Sequence, residues 1–363
     1  MIETVKFDCL HFRGHIPCVP NKLRNKICST CDEYIPISKR ILIIKLGAIG
    51  DVIRTTPLIV RFRKLYPNCH ITWLTQSPDV VPSNHVNAIY KFDFPSVYAI
   101  QNMKFDIAIN LDKEPEACSL LKDVVAKEKY GFTWNGHHLD IATPNAEHKL
   151  MTGLFDNISK KNTKNYLEEI FEICHLQFEN EPYLLNIDND FATKWKSLRQ
   201  QAQEKPIIGL NTGCGARWTT RLWPNDNWIK LVKNLISHKY FPVLLGGEAE
   251  NNNNLLLEKE SGAFYPGHFS LKEFMALTSN CDLVVTQVSM MMHIVTALKI
   301  PMVLMNNIFN KNEFYLYNNG VIVEPTTGCD CYYGNKCIRD RNCMQDITSE
   351  MIFENIEKLI HKK

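Results

Sequence analysis

The chain has 363 residues, 45% of them hydrophobic and 22% charged, which is usual for a globular protein with two domains of ordinary size. Its net charge of +2 argues against a nucleic-acid partner and against strong attraction to a membrane. No apolar run approaches the roughly 20 residues of a membrane span, and the first residues lack the basic start and apolar core of a secretory signal. We therefore expect a cytoplasmic protein without a membrane span, which could still work at the inner face of the membrane.

The first half of the chain alternates between strand and helix patterns. Apolar runs and helical periodicity predict strands at 41–46, 69–74 and 105–111, helices at 51–65 and 115–127, and a polar helix-rich stretch at 150–176. This order predicts a mainly parallel sheet with right-handed crossovers.

The same alternation starts again near residue 195. It predicts strands at 206–211, 241–245, 281–286 and 302–305, and helices at 228–237, 271–278, 290–298 and 348–360. The last helix has Ile352, Ile356 and Ile360 on one face. Two doubly wound α/β halves would leave a cleft at the carboxyl ends of their strands, where each half could hold one substrate.

The stretch from Ile41 to Arg54, I-L-I-I-K-L-G-A-I-G-D-V-I-R, predicts a buried strand, a glycine turn and the start of a helix. The spacing of Gly47 and Gly50 departs from the dinucleotide motif G-x-G-x-x-G, so it gives little support to an NAD site. Asp51 follows at the edge where such sheets hold ligands. It could also simply stabilise the first turn of the helix.

The second half carries the features of an anion site. Asn211, Thr212 and Gly213 follow a predicted strand, and their backbone amides could cradle phosphate oxygens. Arg217 and Arg221 come directly afterwards, and paired guanidinium groups suit a diphosphate.

Three later positions could complete the anion site. Ser289 precedes a helix whose first amides and positive dipole end favour anions. Gly247 would let the backbone approach a ligand closely, and Glu248 or Glu250 could bind ribose hydroxyls.

Each of these features has a structural alternative. Gly213 could be a plain turn glycine, and Arg217 and Arg221 could be solvated surface charges. On an otherwise apolar helix, His293 is more often a packed core residue than a catalyst. Met290 and the two methionines after it are expected in the core or beneath the ligand.

Eight of the thirteen cysteines fall into two clusters. The clusters are Cys9, Cys18, Cys28 and Cys31 near the start, and Cys329, Cys331, Cys337 and Cys343 near the end. In a reducing compartment, close thiols more often bind metal than form disulfides, so we predict structural zinc or iron at each cluster. Four thiolates would leave no open position, so we expect no catalytic metal. Free thiols, disulfides or one shared site are the alternatives, and most of the other five cysteines are expected in the core.

Four segments recur in the same order in one known family: K-L-G-A-I-G-D-V-I-R-T-T-P, R-L-W-P-N-D-N-W, G-G-E-A-E and S-M-M-M-H-I-V-T-A-L. Over residues 40–360 the chain resembles glycosyltransferase family 9, the ADP-heptose heptosyltransferases of lipopolysaccharide synthesis. Its cysteine-rich ends resemble a subgroup that includes the autotransporter heptosyltransferases, which carry an iron-bound cysteine finger.

The resemblance implies a GT-B fold, in which two Rossmann-like domains face each other across a cleft. It implies a cysteine-rich metal-binding segment at 1–37, an acceptor domain at 38–195, a nucleotide-sugar domain at 196–325, and a cysteine-rich segment with the closing helix at 326–363.

The resemblance also implies roles for single residues. Asp51 matches the family aspartate proposed as the general base, and Arg221 matches a lysine that contacts the diphosphate. Glu250 matches an acidic position associated with the ribose. We predict donor contacts at Asn211, Thr212, Gly213, Arg217, Gly247, Glu250, Gln287, Ser289, Met290 and His293, and acceptor contacts at Gly47, Gly50 and Arg54.

One segment departs from the family pattern. The family usually has N-D-S-G-x-M-H before the last helix of the nucleotide-sugar domain, whereas this chain has Q-V-S-M-M-M-H. Val288 replaces an aspartate that helps hold the donor sugar, and valine cannot accept a hydroxyl hydrogen bond. Either the sugar differs or another group holds it, such as Gln287, Asn306 or Asn307.

Three hypotheses remain at this point. The first is an inverting glycosyltransferase that moves heptose from ADP-heptose to a hydroxyl of a glycan or a protein. The second is a GT-B enzyme that uses another nucleotide sugar or has different chemistry, such as a nucleotide-sugar epimerase. The third is a non-enzymatic binding or assembly protein stabilised by metal. In each case the terminal cysteine segments could form contacts in a homo-oligomer.

Overall fold

Eleven strands in two sheets form the frame of the computed structural model, which describes residues 2–334 and 336–361. The strands are β1 (Arg40–Ile44), β2 (His70–Thr75), β3 (Ala88–Lys91), β4 (Lys104–Asn110), β5 (Val125–Trp134), β6 (Leu139–Ile141), β7 (Ile207–Asn211), β8 (Phe241–Leu245), β9 (Leu283–Gln287), β10 (Met302–Met305) and β11 (Gly320–Val323).

Fifteen α-helices occur in the same described ranges. They are α1 (Val19–Arg24), α2 (Ile49–Thr55), α3 (Pro57–Leu65), α4 (Phe94–Gln101), α5 (Pro115–Asp123), α6 (Glu147–Leu154), α7 (Asp156–Ser159), α8 (Tyr166–Ile173), α9 (Asn189–Trp195), α10 (Ser197–Ala202), α11 (Asn225–Ser237), α12 (Asn251–Ser261), α13 (Leu271–Thr278), α14 (Met290–Leu298) and α15 (Ser349–Ile360). None of them is both long and apolar enough to cross a lipid bilayer.

The first sheet has the strand order β3-β2-β1-β4-β5-β6, and only the β5–β6 pair is antiparallel. In its centre Ile41 pairs with Ile71 on one side and Ile107 on the other. The β1 side chains from Ile41 to Ile44 are fully buried, because helices cover both faces of a parallel sheet.

The second sheet has the order β11-β10-β9-β7-β8, and all of its strands are parallel. Its core includes Trp228 from α11 together with Ile352 and Ile356 from α15. Ile360 packs against the same cluster, so the predicted apolar face of the closing helix is confirmed. The two sheets, in which all pairs except β5–β6 are parallel, also confirm the predicted α/β class.

Two predicted helices were wrong in extent. The helix predicted at 51–65 is divided into α2 and α3, because Pro57 lacks the N–H that would continue the hydrogen-bonding pattern. The helix predicted at 115–127 ends at Asp123, and the β-branched Val125 already begins β5.

The chain divides into two compact units. The first contains the described residues up to Gly47, Thr55–His148 and Ile170–Pro182. The second contains Ala48–Arg54, Lys149–Glu169 and the described residues from Tyr183 onward. The domain boundaries predicted after residues 37, 195 and 325 stay predictions.

Candidate active site

A pocket of about 810 Å³ lies in the second unit. Its walls come mainly from the loops that follow β7, β8, β9 and β10, at the carboxyl ends of parallel strands, and from the start of α2. Twelve of the predicted site residues line it: Gly50, Asp51, Arg54, Asn211, Gly213, Arg217, Arg221, Gly247, Glu250, Ser289, Met290 and His293.

Glu250 joins the loops after β7 and β8. Its carboxylate accepts the backbone N–H of Gly247 at 2.9 Å. A side chain at Gly213 would collide with the same carboxyl group, so a larger residue there would force the Glu250 carboxylate to move. The Asn211 amide supports the loop from below by donating to the Gly213 carbonyl at 2.7 Å and to Thr286 Oγ1 at 3.0 Å.

The start of α14 faces the pocket. Ser289 is its N-cap, and the Ser289 hydroxyl accepts the backbone N–H of Met291 at 3.3 Å. Ser289 and Met290 both line the pocket, so the positive end of the helix dipole is available to an anion there.

Arg221 is a buried cation in the pocket wall. Its guanidinium donates to the backbone carbonyls of Trp218 at 3.1 Å, Cys214 at 2.5 Å and Val288. No carboxylate among the described residues forms an ion pair with it, and burial lowers its pKa. The site therefore holds a fixed positive charge that the surrounding protein does not neutralise. Arg217 is exposed and lies over the Trp218 ring at 4.3 Å.

A second charged group lies at the start of α2. The Asp51 carboxylate pairs with Arg54 at 2.8 Å, and the Arg54 guanidinium carbon lies 3.4 Å from the centre of the Tyr166 ring. Burial lowers the pKa of Arg54, but the nearby Asp51 carboxylate, together with smaller effects of Tyr166, Tyr183 and Glu313, outweighs burial, so the net shift of the pKa is upward. Arg54 therefore stays positive and holds the Asp51 carboxylate in place.

His293 packs beneath this charged pair. A Cβ atom at Gly50 would lie 2.6 Å from His293 Cδ2, so glycine at position 50 allows α2 to approach α14. Burial, together with Arg54, lowers the pKa of His293 to about 3, and its ring stacks on Tyr183. The ring is therefore neutral near pH 7, as expected for a packed core histidine.

Three predicted site residues do not line the pocket. The Gly47 carbonyl accepts Lys45 Nζ at 2.6 Å in the first unit. The Thr212 hydroxyl donates to Asn254 Oδ1 at 2.6 Å. Gln287 is fully buried, and its amide, in the orientation that satisfies its hydrogen bonds, donates to the carbonyls of Asn211 and Gly213. Thr212 and Gln287 therefore support the pocket loops from behind.

Sequence reasoning missed one wall of the pocket, which is largely aromatic. Its members are Trp218, Phe309, Glu313, Phe314 and Tyr333. Three of them belong to the segment that follows β10, so the carboxyl-end rule for parallel strands could have found them. Tyr333 lies in the distant cysteine-rich segment, and no local pattern places it here.

The cysteines divide into buried and partly exposed groups. All thirteen are free thiols, and the five scattered ones are buried, as predicted. In the C-terminal cluster the Cys331 N–H donates to Cys329 Sγ at 3.4 Å, and the Ile338 N–H donates to Cys331 Sγ at 3.3 Å. Across residues 2–334 and 336–361, however, no group of three or more His, Cys, Asp or Glu side chains is positioned to hold one metal ion. Metal binding at either cluster stays a prediction.

The family is decided by comparison with known proteins. The model of glycosyltransferase family 9 (heptosyltransferase) matches residues 97–322, which is more than half of the chain. The chain belongs to glycosyltransferase family 9. It is therefore a glycosyltransferase, as predicted, and the hypothesis of a non-enzymatic binding protein is set aside.

Individual family 9 proteins resemble this one over nearly its whole length. Lipooligosaccharide heptosyltransferase 2 of Haemophilus influenzae is 25% identical over 364 residues, which cover 89% of this chain and 99% of the relative. The structure of E. coli ADP-heptose LPS heptosyltransferase II has a TM-score of 0.66 at 17% identity, with 89% of this chain and 99% of that chain covered.

The third likeness is to TibC of enterotoxigenic E. coli, an iron-containing dodecameric glycosyltransferase. It has a TM-score of 0.54 at 16% identity and covers 90% of this chain and 77% of that one. At these identities the two structures bear on the fold of this family 9 enzyme, which is GT-B, as predicted.

Proposed function

We propose that this glycosyltransferase moves heptose from ADP-heptose to an acceptor hydroxyl, with inversion at the anomeric carbon. One observation carries the proposal: a single pocket is lined by the carboxylate of Asp51, the N-terminal end of α14, Arg217 and Arg221. A base for the acceptor and positive groups for the leaving diphosphate thus line the same cavity.

The positive groups would hold the diphosphate of the donor. The first amides of α14 and the guanidinium of Arg217 would contact its oxygens. Arg221 would act mainly through its charge, because three of its N–H groups already bind carbonyls. When the bond between the sugar and the diphosphate breaks, these groups stabilise the negative charge that collects on ADP. Glu250 would bind the ribose.

Asp51 would act on the acceptor. Its carboxylate takes the proton of an acceptor hydroxyl, whose oxygen forms the new bond to C1 while the bond from C1 to the diphosphate oxygen breaks. Attack from the face opposite the leaving group gives inversion. In this proposal Arg54 orients Asp51, although the sequence predicted an acceptor contact for Arg54.

The names of similar proteins support the choice of substrates. The Haemophilus influenzae relative is a lipooligosaccharide heptosyltransferase, and the E. coli structure is of an ADP-heptose LPS heptosyltransferase. We therefore propose a lipopolysaccharide-like glycan as the acceptor, with a protein hydroxyl as the alternative. The thirteen free thiols fit a cytoplasmic location.

We also propose a structural zinc or iron ion at Cys329, Cys331, Cys337 and Cys343. The N–H groups of Cys331 and Ile338 donate to the sulfur atoms of Cys329 and Cys331 at 3.4 and 3.3 Å, which suits thiolate ligands. Binding would draw the four sulfur atoms around one ion. The iron and the dodecamer of TibC support the ion and a homo-oligomer, and Cys9, Cys18, Cys28 and Cys31 are the second candidate cluster. No catalytic step passes through the ion.

The donor can be tested by thermal shift with ADP, UDP, GDP and ADP-heptose at matched concentrations. A ligand at 100 times its dissociation constant adds about 2.7 kcal/mol of stability, which such an assay detects. We expect ADP and ADP-heptose to give the largest shifts. A larger shift with UDP or GDP would favour the second hypothesis, in which the enzyme uses another nucleotide sugar.

A further inference from the structure

Four carboxylates line the pocket: Asp51, Glu248, Glu250 and Glu313. Asp51 pairs with Arg54, Glu250 joins two glycine loops, and Glu248 is exposed on the loop after β8. Glu313 has no role in the reaction described above. It ends a short 3-10 helix, Lys311–Glu313, in the segment after β10.

Glu313 is held at one oxygen and open at the other. Tyr333 donates its hydroxyl proton to Glu313 Oε1 at 2.9 Å. Oε2 accepts no hydrogen bond from any residue in the described ranges. Glu313 also lines the same pocket as Arg54 and the proposed base Asp51. The carboxylate is thus oriented, half-buried and ready to accept a hydrogen bond from a ligand.

The position that usually supplies such a carboxylate is apolar here. The Val288 side chain offers no acceptor, and its backbone carbonyl already binds Arg221. The replacements suggested by the sequence lie away from the pocket. Gln287 is fully buried, the Asn306 amide donates to the Phe309 carbonyl, and the Asn307 amide donates to the Thr220 carbonyl. None of these three lines the pocket.

We propose that Glu313 accepts hydrogen bonds from hydroxyl groups of the donor sugar, and that Tyr333 is the residue that positions it. This inference rests on the proposed function and names the group that recognises the sugar. A carboxylate forms stronger hydrogen bonds to hydroxyls than a neutral acceptor does. A site built to bind a hydroxyl also rejects an analogue that lacks it. Glu313 would therefore decide which sugar is accepted.

The test compares the binding of ADP and of ADP-heptose by calorimetry. We expect Glu313→Ala to weaken ADP-heptose binding about 10- to 100-fold, the usual value for a hydrogen bond to a charged group. ADP lacks the heptose that Glu313 would contact, so its affinity should change less than about twofold. Lys311→Ala is the matched control, because Lys311 lies on the same turn, pairs with Glu324 at 3.0 Å and does not line the pocket.

Tyr333→Phe separates positioning from direct contact. It should weaken ADP-heptose binding by less than Glu313→Ala does and leave ADP binding unchanged, because it removes only the hydrogen bond that orients the carboxylate. A deoxy analogue of ADP-heptose that lacks the recognised hydroxyl should bind wild type and Glu313→Ala equally. Thermal melting of each variant checks that the fold is intact.

The possible results separate the role of Glu313 from the proposed function of the enzyme. If Glu313→Ala weakened the binding of ADP and of ADP-heptose equally, Glu313 would act on the pocket as a whole and not on the sugar. That result would overturn the inference. No effect on either ligand would overturn it as well. If wild type bound ADP-heptose no better than ADP, the inference would fall while nucleotide binding survived. If wild type bound neither, the proposed function itself would fail.

Discussion

The carboxyl edges of the two sheets use buried charge in opposite ways. In the first sheet Lys45 follows β1 and Asp112 follows β4, each is only 4% exposed, and the two pair with one another. Asp112 also accepts the Leu46 N–H, and Asn110 binds the Asp112 backbone. At this part of the edge the buried cation is therefore neutralised by a carboxylate of the protein itself.

In the second sheet the buried cation Arg221 donates to three backbone carbonyls, no carboxylate in the described part of the chain pairs with it, and a pocket of about 810 Å³ lies beside it. A buried charge without a counterion is costly, and an anionic ligand removes that cost when it binds. The two sheets thus differ in the source of the negative charge that neutralises the buried cation. In the first sheet it is a protein carboxylate, and in the second it would be the bound ligand.

The largest expected effect concerns the base in the open pocket. Asp51→Asn should lower turnover about 100- to 10,000-fold, because the amide cannot take a proton from the acceptor. Its affinity for ADP should stay near that of wild type, since ADP contains no acceptor hydroxyl. Steady-state kinetics and calorimetry on the same preparation measure both. Substantial remaining turnover would mean that Asp51 only stabilises the first turn of α2.

The stability of the protein should depend on the buried pair of Lys45 and Asp112 at the edge of the first sheet. Lys45→Met should lower the free energy of unfolding by about 3–5 kcal/mol, because it leaves Asp112 buried without its cation. Burial already raises the pKa of Asp112 against the effect of Lys45. Urea unfolding measures the loss, and the double variant Lys45→Met/Asp112→Leu should recover most of it. A loss below about 1 kcal/mol would show that the pair behaves like an exposed one.

At the edge of the second sheet, loss of the buried cation should affect ligand binding more than the stability of the fold. Arg221→Met should weaken ADP binding about 10- to 100-fold, since it removes the uncompensated charge. Adenosine, which has no phosphate, should bind with unchanged affinity. Arg221→Lys is the matched control that keeps the charge but loses the planar hydrogen-bonding geometry. If Arg221→Met weakened both ligands equally, Arg221 would act by shaping the loop.

The smallest expected effect is the pH dependence of stability that arises from one buried histidine in each unit. Burial lowers the pKa of His70 to about 4 and that of His293 to about 3. The unfolded chain binds these protons near pH 6.5, so below that pH it holds more protons than the folded chain. Stability should therefore fall as pH decreases from about 6.5, by at most about 1.4 kcal/mol per pH unit for each histidine.

His70→Gln isolates the contribution of the first unit, because glutamine does not titrate. Urea unfolding at pH 7 and pH 5 should show a smaller loss for this variant than for wild type. Equal losses would mean that His70 is protonated in the folded protein at an ordinary pKa.

Regular elements and their ends could be predicted from the sequence. β8, α13, α14 and β10 begin and end where the patterns predict, because their apolar periods are uninterrupted. The position of Asp51 in the pocket followed from the rule that ligands bind at the carboxyl ends of parallel strands.

What could not be predicted depends on contacts between distant residues. The short or half-exposed strands β3, β6 and β11 lack a strong pattern, and tertiary pairing decides them. The carbonyl contacts of Arg221 and the burial of Gln287 arise only when the loops meet. The pair formed by Glu313 and Tyr333 joins residues 20 positions apart across an irregular segment.

Gly50 and His293 lie 243 residues apart in the sequence (293 − 50) but so close in the structure that the residue at one position limits the residue at the other. Any side chain at position 50 would have to displace the imidazole, so alanine there requires either a shift of the His293 ring or a smaller residue at position 293. The residue beside Gly50 is Asp51, so a substitution at position 293 that changes this contact also bears on the position of the proposed base.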